Sequence, residues 1–449
     1  MTNILIIGAG PTGIGAAYRL WQRKEEDWLL CEKEDHLGGL AASFRDEKGF
    51  TWDIGGHVMF SHYEYFDDFI NHMLGDAYIS HLREAYIWML DRWIPYPFQN
   101  NLRYLPEKIQ EECLKGLIED RLKPEEARNF KEWTYAVFGE AVSRYFMDPY
   151  NFKVWAHPLE EMCKEWIGER VSVVDYKRIL SNIIHKRDDV AWGPNNQFKF
   201  PLHGGTGGLF SPASKLFGQK LLLNRELEKI YWKEKIAVFK DKSEIRYDKL
   251  VTTLPLDLLC KMVEPSCEDI ENASRNLVFT SGYIIGIGLK KRLNSRRCWM
   301  YFPQDDSPFY RVTNFGWYSC NNVPDGDTEQ YSSYMCETSY SSFKKVSKDE
   351  ITEKTIDGLV NSRLLSKDDI SKIISTYIID VKHSYPVPGL KRNKALSIIQ
   401  PWLEERDIFS RGRFGGWKYE VGNMDHSVMT GREIVDRIID NTEESVYKI

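Results

Sequence analysis

Gly8-x-Gly10-x-x-Gly13 stands between an apolar run, residues 3–7, and an alanine-rich stretch that reaches Leu20. Three glycines at this spacing, between a strand and a helix, form the turn that receives a dinucleotide. Gly8 permits the tight turn, Gly10 lets the backbone approach a pyrophosphate, and Gly13 lets helix and strand pack closely. The helix N-terminus then faces the negative charge. Glu32 ends a second apolar run 24 residues after Gly8, where its carboxylate can accept hydrogen bonds from a ribose. The motif alone leaves NAD and FAD both open. Two further glycine loops favour FAD. Gly38-Gly39-Leu40-Ala41 follows Glu32 closely, and Gly422-Asn423-Met424-Asp425-His426-Ser427 stands at the far end of the chain. A glycine loop at each end suits an extended cofactor held by a domain built from both termini.

These residues need elements to hold them. Residues 3–7 and 28–32 read as buried parallel strands, and the stretch after Gly13 as a helix, which together make a βαβ unit. From about 106 to 186, Glu, Lys, Leu, Trp and Ile recur at helical spacings with few glycines, which predicts a helical region. Beyond the glycine cluster at 204–208, runs at 236–240, 243–247, 250–254, 278–290, 298–302, 309–315 and 331–338 read as strands. A final amphipathic helix is expected over 430–441. At roughly 150 residues per domain, the 449 residues imply two or three domains.

Composition excludes several classes. The net charge of −6 offers no basic footprint for nucleic acid or an anionic membrane surface. The most apolar run, 277–289, is broken by Thr280, Ser281 and three glycines, short of the ~18 apolar residues of a membrane helix. Residues 1–7 carry no basic segment of the kind that opens a secretory signal. Eight scattered cysteines without a CxxC pair indicate neither a disulfide framework nor a zinc site. A soluble, cytoplasmic protein without a bound metal is the expectation.

Longer blocks are more specific. Gly55-Gly56-His57-Val58-Met59-Phe60-Ser61-His62-Tyr63, Pro95-Tyr96-Pro97-Phe98-Gln99-Asn100-Asn101 and Tyr150-Asn151-Phe152-Lys153-Val154-Trp155 resemble the UDP-galactopyranose mutases, most closely their eukaryotic, fungal-like branch. Gly168-Glu169-Arg170-Val171, Trp192-Gly193-Pro194-Asn195, Trp299-x-Tyr301-Phe302-Pro303, Pro308-Phe309-Tyr310-Arg311 and the run 410–423 extend the resemblance over the whole chain. It implies an α/β fold: a Rossmann-like FAD-binding domain (1–85, 203–265 and 405–449), a helical domain (105–190) and an antiparallel-sheet substrate domain (86–104, 191–202 and 266–404). It also implies reduced FAD, a UDP-sugar substrate, and interconversion of UDP-galactopyranose and UDP-galactofuranose through a covalent adduct at flavin N5 without net redox. NADPH or NADH is the reductant so implied.

By the same resemblance, His57 lies beside the flavin, with Gly56, Thr12, Gly39, Leu40, Leu227, Arg413, Gly422, Asn423, Met424 and Ser427 as further flavin contacts. Arg170 and Arg311 are the arginines expected to grip the diphosphate, each with a planar fork. Tyr96 and Phe98 offer faces to the uracil and Gln99 meets its polar edge. Asn151, Trp155, Asn195, Trp299, Tyr301, Tyr385, Tyr419 and Asn423 complete the implied substrate pocket. Met424 departs from the family, which has Gln there. The elements that build the fungal oligomer are expected to be missing, so the oligomeric state is left open. Two alternatives stand beside this reading: a mutase for a different nucleotide sugar, and an amine-oxidase-like FAD oxidoreductase. A catalytically silent nucleotide-sugar-binding flavoprotein is a third.

Overall fold

The strand Thr2–Ile7 buries every residue but Asn3. It pairs in parallel with Trp28–Cys31 on one side and Glu244–Thr252 on the other, and Ile408–Ser410 extends the parallel set. Because successive side chains leave a strand on opposite faces, Ile4 and Ile6 enter one core and Leu5 and Ile7 another. The first core is closed by helices Pro11–Gln22 and Met424–Asp440, the second by Arg392–Glu404. These observations come from a computed structural model that describes residues 2–119, 122–168, 171–173, 175–190 and 197–448.

A second sheet runs in the order Ile373–Pro386, Phe279–Leu289, Ser332–Tyr340, Arg311–Asn314, Trp299–Tyr301, Ala85–Met89, Arg92–Pro95. Its pairings are antiparallel except where Trp299–Tyr301 meets Ala85–Met89. Register places Tyr301, Arg311 and Glu337 in one row across three neighbouring strands. The glycines that interrupt the apolar run have a packing cause. A Cβ on Gly286 would lie 2.5 Å from the Trp52 ring, and one on Gly288 would lie 2.7 Å from the Phe50 ring. The strand Thr51–Asp53 therefore rests directly on this sheet, and the chain passes from it into Gly55-Gly56-His57.

Helices Glu107–Ile118, Phe130–Val142, Asp148–Trp155 and Tyr176–Ile184 form the expected helical region. Four expectations need correction. Residues 243–247 and 250–254 are not two strands but one, Glu244–Thr252. Its first half pairs antiparallel with Ile236–Phe239 and its second half parallel with Thr2–Ile7; the partner changes between Arg246 and Tyr247, and the polar pair Asp248-Lys249 lies inside the strand rather than in a turn. The last helix begins at Met424, not near 430; its polar first turn hides the apolar period. Helices Glu268–Ser274 and Arg392–Glu404 pack against the first sheet, although their sequence neighbourhood suggested the substrate domain. Gln197–Pro201 pairs with Tyr78–Leu82 in a separate ribbon, outside the seven-stranded sheet. All eight cysteines are unpaired thiols. Among the described residues no helix is long and apolar enough to cross a membrane.

The helices Pro11–Gln22 and Met424–Asp440 touch backbone to backbone. A Cβ on Gly431 would lie 2.1 Å from the Thr12 carbonyl oxygen, and one on Gly15 would lie 2.5 Å from that of Val428. Neither backbone can yield without moving the glycine turn that precedes Thr12. Gly431→Ala should cost about 1–3 kcal/mol, the usual range for overpacking, read as a lower midpoint in thermal or denaturant unfolding.

Candidate active site

Two cavities meet inside the molecule. The first is a groove of about 680 Å³ along the ends of the parallel strands, lined by Gly8, Gly10, Thr12, Glu32, Gly39, Leu40, His57, Leu227, Arg413, Gly422, Met424 and Ser427. Gly8 turns the chain at φ 96°, and Gly13 lies behind the groove, where a Cβ would meet the Gly8 carbonyl oxygen at 1.9 Å. A Cβ on Gly10 would find only the Gly39 Cα, at 3.9 Å, so the two glycine loops face each other without side chains. The first helix has no side chain capping its N-terminus. Its N–H groups are therefore available to an anion. Glu32 is held from behind: its carboxylate accepts from the N–H groups of Ala9 (2.6 Å) and Glu34 (3.0 Å). A side-chain-free cradle, an uncapped helix and a fixed carboxylate fit the diphosphate and ribose of FAD.

The second cavity, of about 500 Å³, lies between the antiparallel sheet and the helical region. Tyr96, Gln99, Asn151, Trp155, Trp299, Tyr301, Arg311, Tyr385, Tyr419, Asn423 and Gly56 line it, and His57, Arg413 and Met424 line both cavities. Asn151 and Trp155 come from one helix, Asp148–Trp155; Trp299 and Tyr301 come from one strand. Tyr96 and Tyr301 face each other at 4.9 Å between ring centroids, with Tyr150 set edge-on to Tyr301. The amide of Gln99 donates to the Ser172 carbonyl (2.7 Å) and that of Asn151 to the Met147 carbonyl (2.8 Å). Phe98 is a correction. It is fully buried one layer back, stacked on Phe146, which in turn stacks on Tyr150. In this structure it supports the wall from behind and is not part of the lining. Arg170 and Asn195 lie outside the described residues.

Glu337 organises the junction, and nothing in the sequence marked it. Its Oε1 accepts from Arg311 Nε (2.6 Å) and the Gly56 N–H (3.0 Å), and its Oε2 from Arg311 Nη2 (2.7 Å) and the Tyr310 hydroxyl (2.8 Å). Burial alone would disfavour its charge, but the Arg311 cation and these donors hold the carboxyl below its ordinary range. The fork expected of Arg311 is thus already committed on its Nε side. What it can offer a ligand is the Nη1 edge and the second Nη2 hydrogen. Arg83, also missed, reaches the same cavity over the rings of Tyr96 (5.6 Å) and Trp299 (6.0 Å). A lone Arg outside any motif carries no signal in sequence.

His57 sits where the two cavities join. Burial, then the positive charges of Arg413 and Arg311, push its pKa down to about 3, with Glu337 opposing. The ring is therefore neutral at physiological pH, and its buried Nδ1 has no partner among the described residues. An orphaned polar atom at this junction is a second sign that a polar ring system belongs there. Tyr150, Tyr310 and Tyr385 have pKa values raised by burial, so they act as hydrogen-bond donors rather than as bases. Close by, His62, Asp425 and His426 bring three potential metal donors within 4.8 Å of one another. Both imidazole Nδ1 atoms are engaged by the carboxylate, at 2.7 and 3.0 Å.

The His57 shift has a sign that can be checked. The unfolded ring takes up a proton near pH 6.5, whereas the folded ring resists until about pH 3. Stability tied to this group is therefore full above the unfolded value and lost as pH falls towards the folded one. His57→Asn should flatten the decline of unfolding free energy between about pH 6.5 and 4, measured by denaturant titration at each pH.

The comparisons with known proteins agree with this geometry. Residues 11–439 match the flavin containing amine oxidoreductase family. A crystal structure of reduced UDP-galactopyranose mutase superposes with a TM-score of 0.96 at 42% identity, covering 100% of this chain and 96% of that one. The CLA-producing fatty acid isomerase from P. acnes (TM-score 0.67, 15% identity) and the cyclohexylamine oxidase from Brevibacterium oxydans IH-35A (0.69, 13%) each cover 98% of this chain and 99% of their own. These two share the fold alone. The match over 11–439 and the full-length identity to the mutase together show that the chain belongs to the flavin-containing amine oxidoreductases and, among them, to the UDP-galactopyranose mutases.

Proposed function

We propose that this protein is a flavin-dependent mutase that interconverts UDP-galactopyranose and UDP-galactofuranose. The observation that carries the reading is the charge of the second cavity. Arg83, Arg311 and Arg413 line it, while its two carboxylates are tied down: Glu420 by the bidentate guanidinium of buried Arg392 (2.8 Å twice) and Asp425 by two imidazoles. A cavity of that kind receives a diphosphate and opposes the ammonium substrate of an amine oxidase. Its aromatic walls, Tyr96, Tyr301 and Trp155, suit a flat base and a sugar ring. The identity to a mutase over the whole chain points the same way.

Bound in the groove and reduced, FAD supplies an electron-rich nitrogen nucleophile for the anomeric carbon of the sugar. The chain's own residues do the rest. Arg311, braced by Glu337, presents its outer edge to the diphosphate and keeps the leaving UDP in place for return. Arg170 is assigned to the same task by its motif. Neutral His57, at the junction of the two cavities, would stand beside the flavin without adding a charge that favours one redox state through Coulomb attraction. The protonated phenols of Tyr310 and Tyr385 form a short relay, 3.4 Å apart, ending on Glu337. They donate hydrogen bonds while keeping their protons.

The proposal includes finer points: the eukaryotic branch of the family, a cytoplasmic location, consistent with eight unpaired cysteines, and NADPH or NADH as the reductant that primes the flavin. The domain division stated from sequence, corrected as above for 268–274 and 392–404, is part of it; Phe198 and Phe200 pack with the antiparallel sheet. So is the absence of nucleic-acid and membrane partners.

A mutase of this type needs reduced flavin yet consumes no electrons per turnover. Under anaerobic conditions with limiting dithionite, product per electron pair should greatly exceed one, and the oxidised enzyme should be inert. Product that stops at one equivalent, or equal activity from oxidised enzyme, would establish an oxidoreductase instead.

A further inference from the structure

Between the strand Thr51–Asp53 and the helix Glu64–Leu74, residues 54–63 make no regular element beyond a single bridge, Met59 to Lys199. This stretch carries His57, and besides the burial of Val58 and Met59 in the cores it is held by discrete hydrogen-bonded fastenings. One is the Gly56 N–H on Glu337 (3.0 Å) and another is the pair of backbone bonds between Met59 and Lys199 (2.9 and 2.8 Å). The third lies at the far end. Asp425 Oδ2 accepts both the backbone N–H of His62 (3.2 Å) and its ring Nδ1–H (2.7 Å). Oδ1 of the same carboxylate accepts from His426 Nδ1 (3.0 Å).

Asp425 stands in the first turn of the helix Met424–Asp440, between Met424 and Ser427, which line the cofactor groove. An acidic residue there would ordinarily serve the helix N-terminus. Here each oxygen also accepts from an imidazole. The carboxylate is 1% exposed, and although burial favours its neutral form, the His426 and His62 donors keep it below the ordinary carboxyl range. A fully buried anion with three donors from two segments is a fastening between them.

We propose that Asp425 is a positioning residue: through His62 it latches the 54–63 segment to the cofactor helix, and so sets where His57 stands at the junction of the two cavities. The latch fastens the His62 end of the segment, whereas the diphosphate grip is braced at its Gly56 end, where Glu337 holds Arg311 from the neighbouring strand of the same sheet. Loss of the latch therefore lowers turnover while leaving nucleotide affinity in place. Displacing a group at a reacting centre by about 1 Å costs up to about a hundredfold in rate.

The proposal rests on the mutase reading for its activity readout alone; backbone exchange and UDP binding are read without turnover. Three single variants and one double variant test it. Asp425→Asn replaces one acceptor oxygen with a donor that faces an imidazole N–H. His62→Gln puts its amide nitrogen beyond reach of the carboxylate, whereas the shorter His62→Asn places a donor close to where Nδ1 stood. Expected are a fall in kcat of about tenfold or more for Asp425→Asn and His62→Gln, with UDP affinity within about threefold of wild type. His62→Asn should recover most of the rate. The Asp425→Asn/His62→Gln double variant should be no slower than the worse single one, as expected of two ends of one interaction. Hydrogen exchange should rise across peptides spanning 54–63 in the two impaired variants and stay low in His62→Asn. Near-wild-type kcat and exchange in Asp425→Asn, multiplicative losses in the double variant, or equal loss in His62→Asn and His62→Gln would each overturn the latch. If Asp425→Asn fails to fold, the contrast between the two His62 variants decides alone. A wild-type enzyme that shows no mutase turnover would fail the function and leave the exchange test standing.

Discussion

One buried carboxylate sets the geometry of this molecule's working centre. Glu337 accepts four hydrogen bonds, two from Arg311 and one each from Tyr310 and the Gly56 backbone. A charge so deeply buried persists only because its counter-ion and donors are in place. That requirement couples parts that would otherwise be independent. Arg311 cannot shift to meet a ligand without disturbing the Gly56 peptide, and the turn that continues into His57 is fastened at that end to the same carboxylate. The diphosphate grip and the cofactor contact thus share one anchor.

The surrounding fold reads as the means of supplying that anchor. Three adjacent strands place Tyr301, Arg311 and Glu337 in one row, a register that a one-residue slip would abolish by turning every second side chain to the other face. Glycines 286 and 288 let Trp52 and Phe50 lie flat on the same sheet, which delivers the chain into the His57 turn. On the other side, the helices that cross at Gly15 and Gly431 fix the glycine turn and the Met424–Ser427 segment relative to each other. Cofactor groove and ligand cavity then join at His57, Arg413 and Met424, and the edge strand Ile373–Pro386 of the antiparallel sheet lines the groove as well.

The sequence reveals most of the cofactor groove and part of the ligand cavity, for a physical reason. The groove is built from local requirements: Gly8, Gly10 and Gly13 answer to turn, approach and packing within six residues, and Glu32 ends the next strand. Such constraints leave a mark in composition and spacing. Glu337 is 26 residues from Arg311, and only strand register brings them opposite, so neither residue advertises the other. Arg83 stands outside every motif. Phe98 misleads because a short 3-10 turn, Phe98–Asn100, sends its ring into the core while Tyr96 and Gln99 reach the cavity. The start of the last helix is hidden by its own function, since Asp425 and His426 spend polar side chains on the latch rather than on an amphipathic stripe. Where the sequence misplaced structure, long-range pairing had overruled local pattern.

The central claim is that Glu337 holds Arg311 in its ligand-gripping position and the His57 turn in its place together. Glu337→Gln keeps the shape and removes the charge, and breaking a buried pair from one side costs about 3–5 kcal/mol. The direct measurement is UDP affinity and kcat of reduced Glu337→Gln enzyme, compared with Arg311→Ala. The account predicts that UDP binding and turnover both fall by at least about tenfold in Glu337→Gln, approaching the arginine variant. Wild-type affinity and turnover in Glu337→Gln would contradict it, because the arginine would then be held by something else.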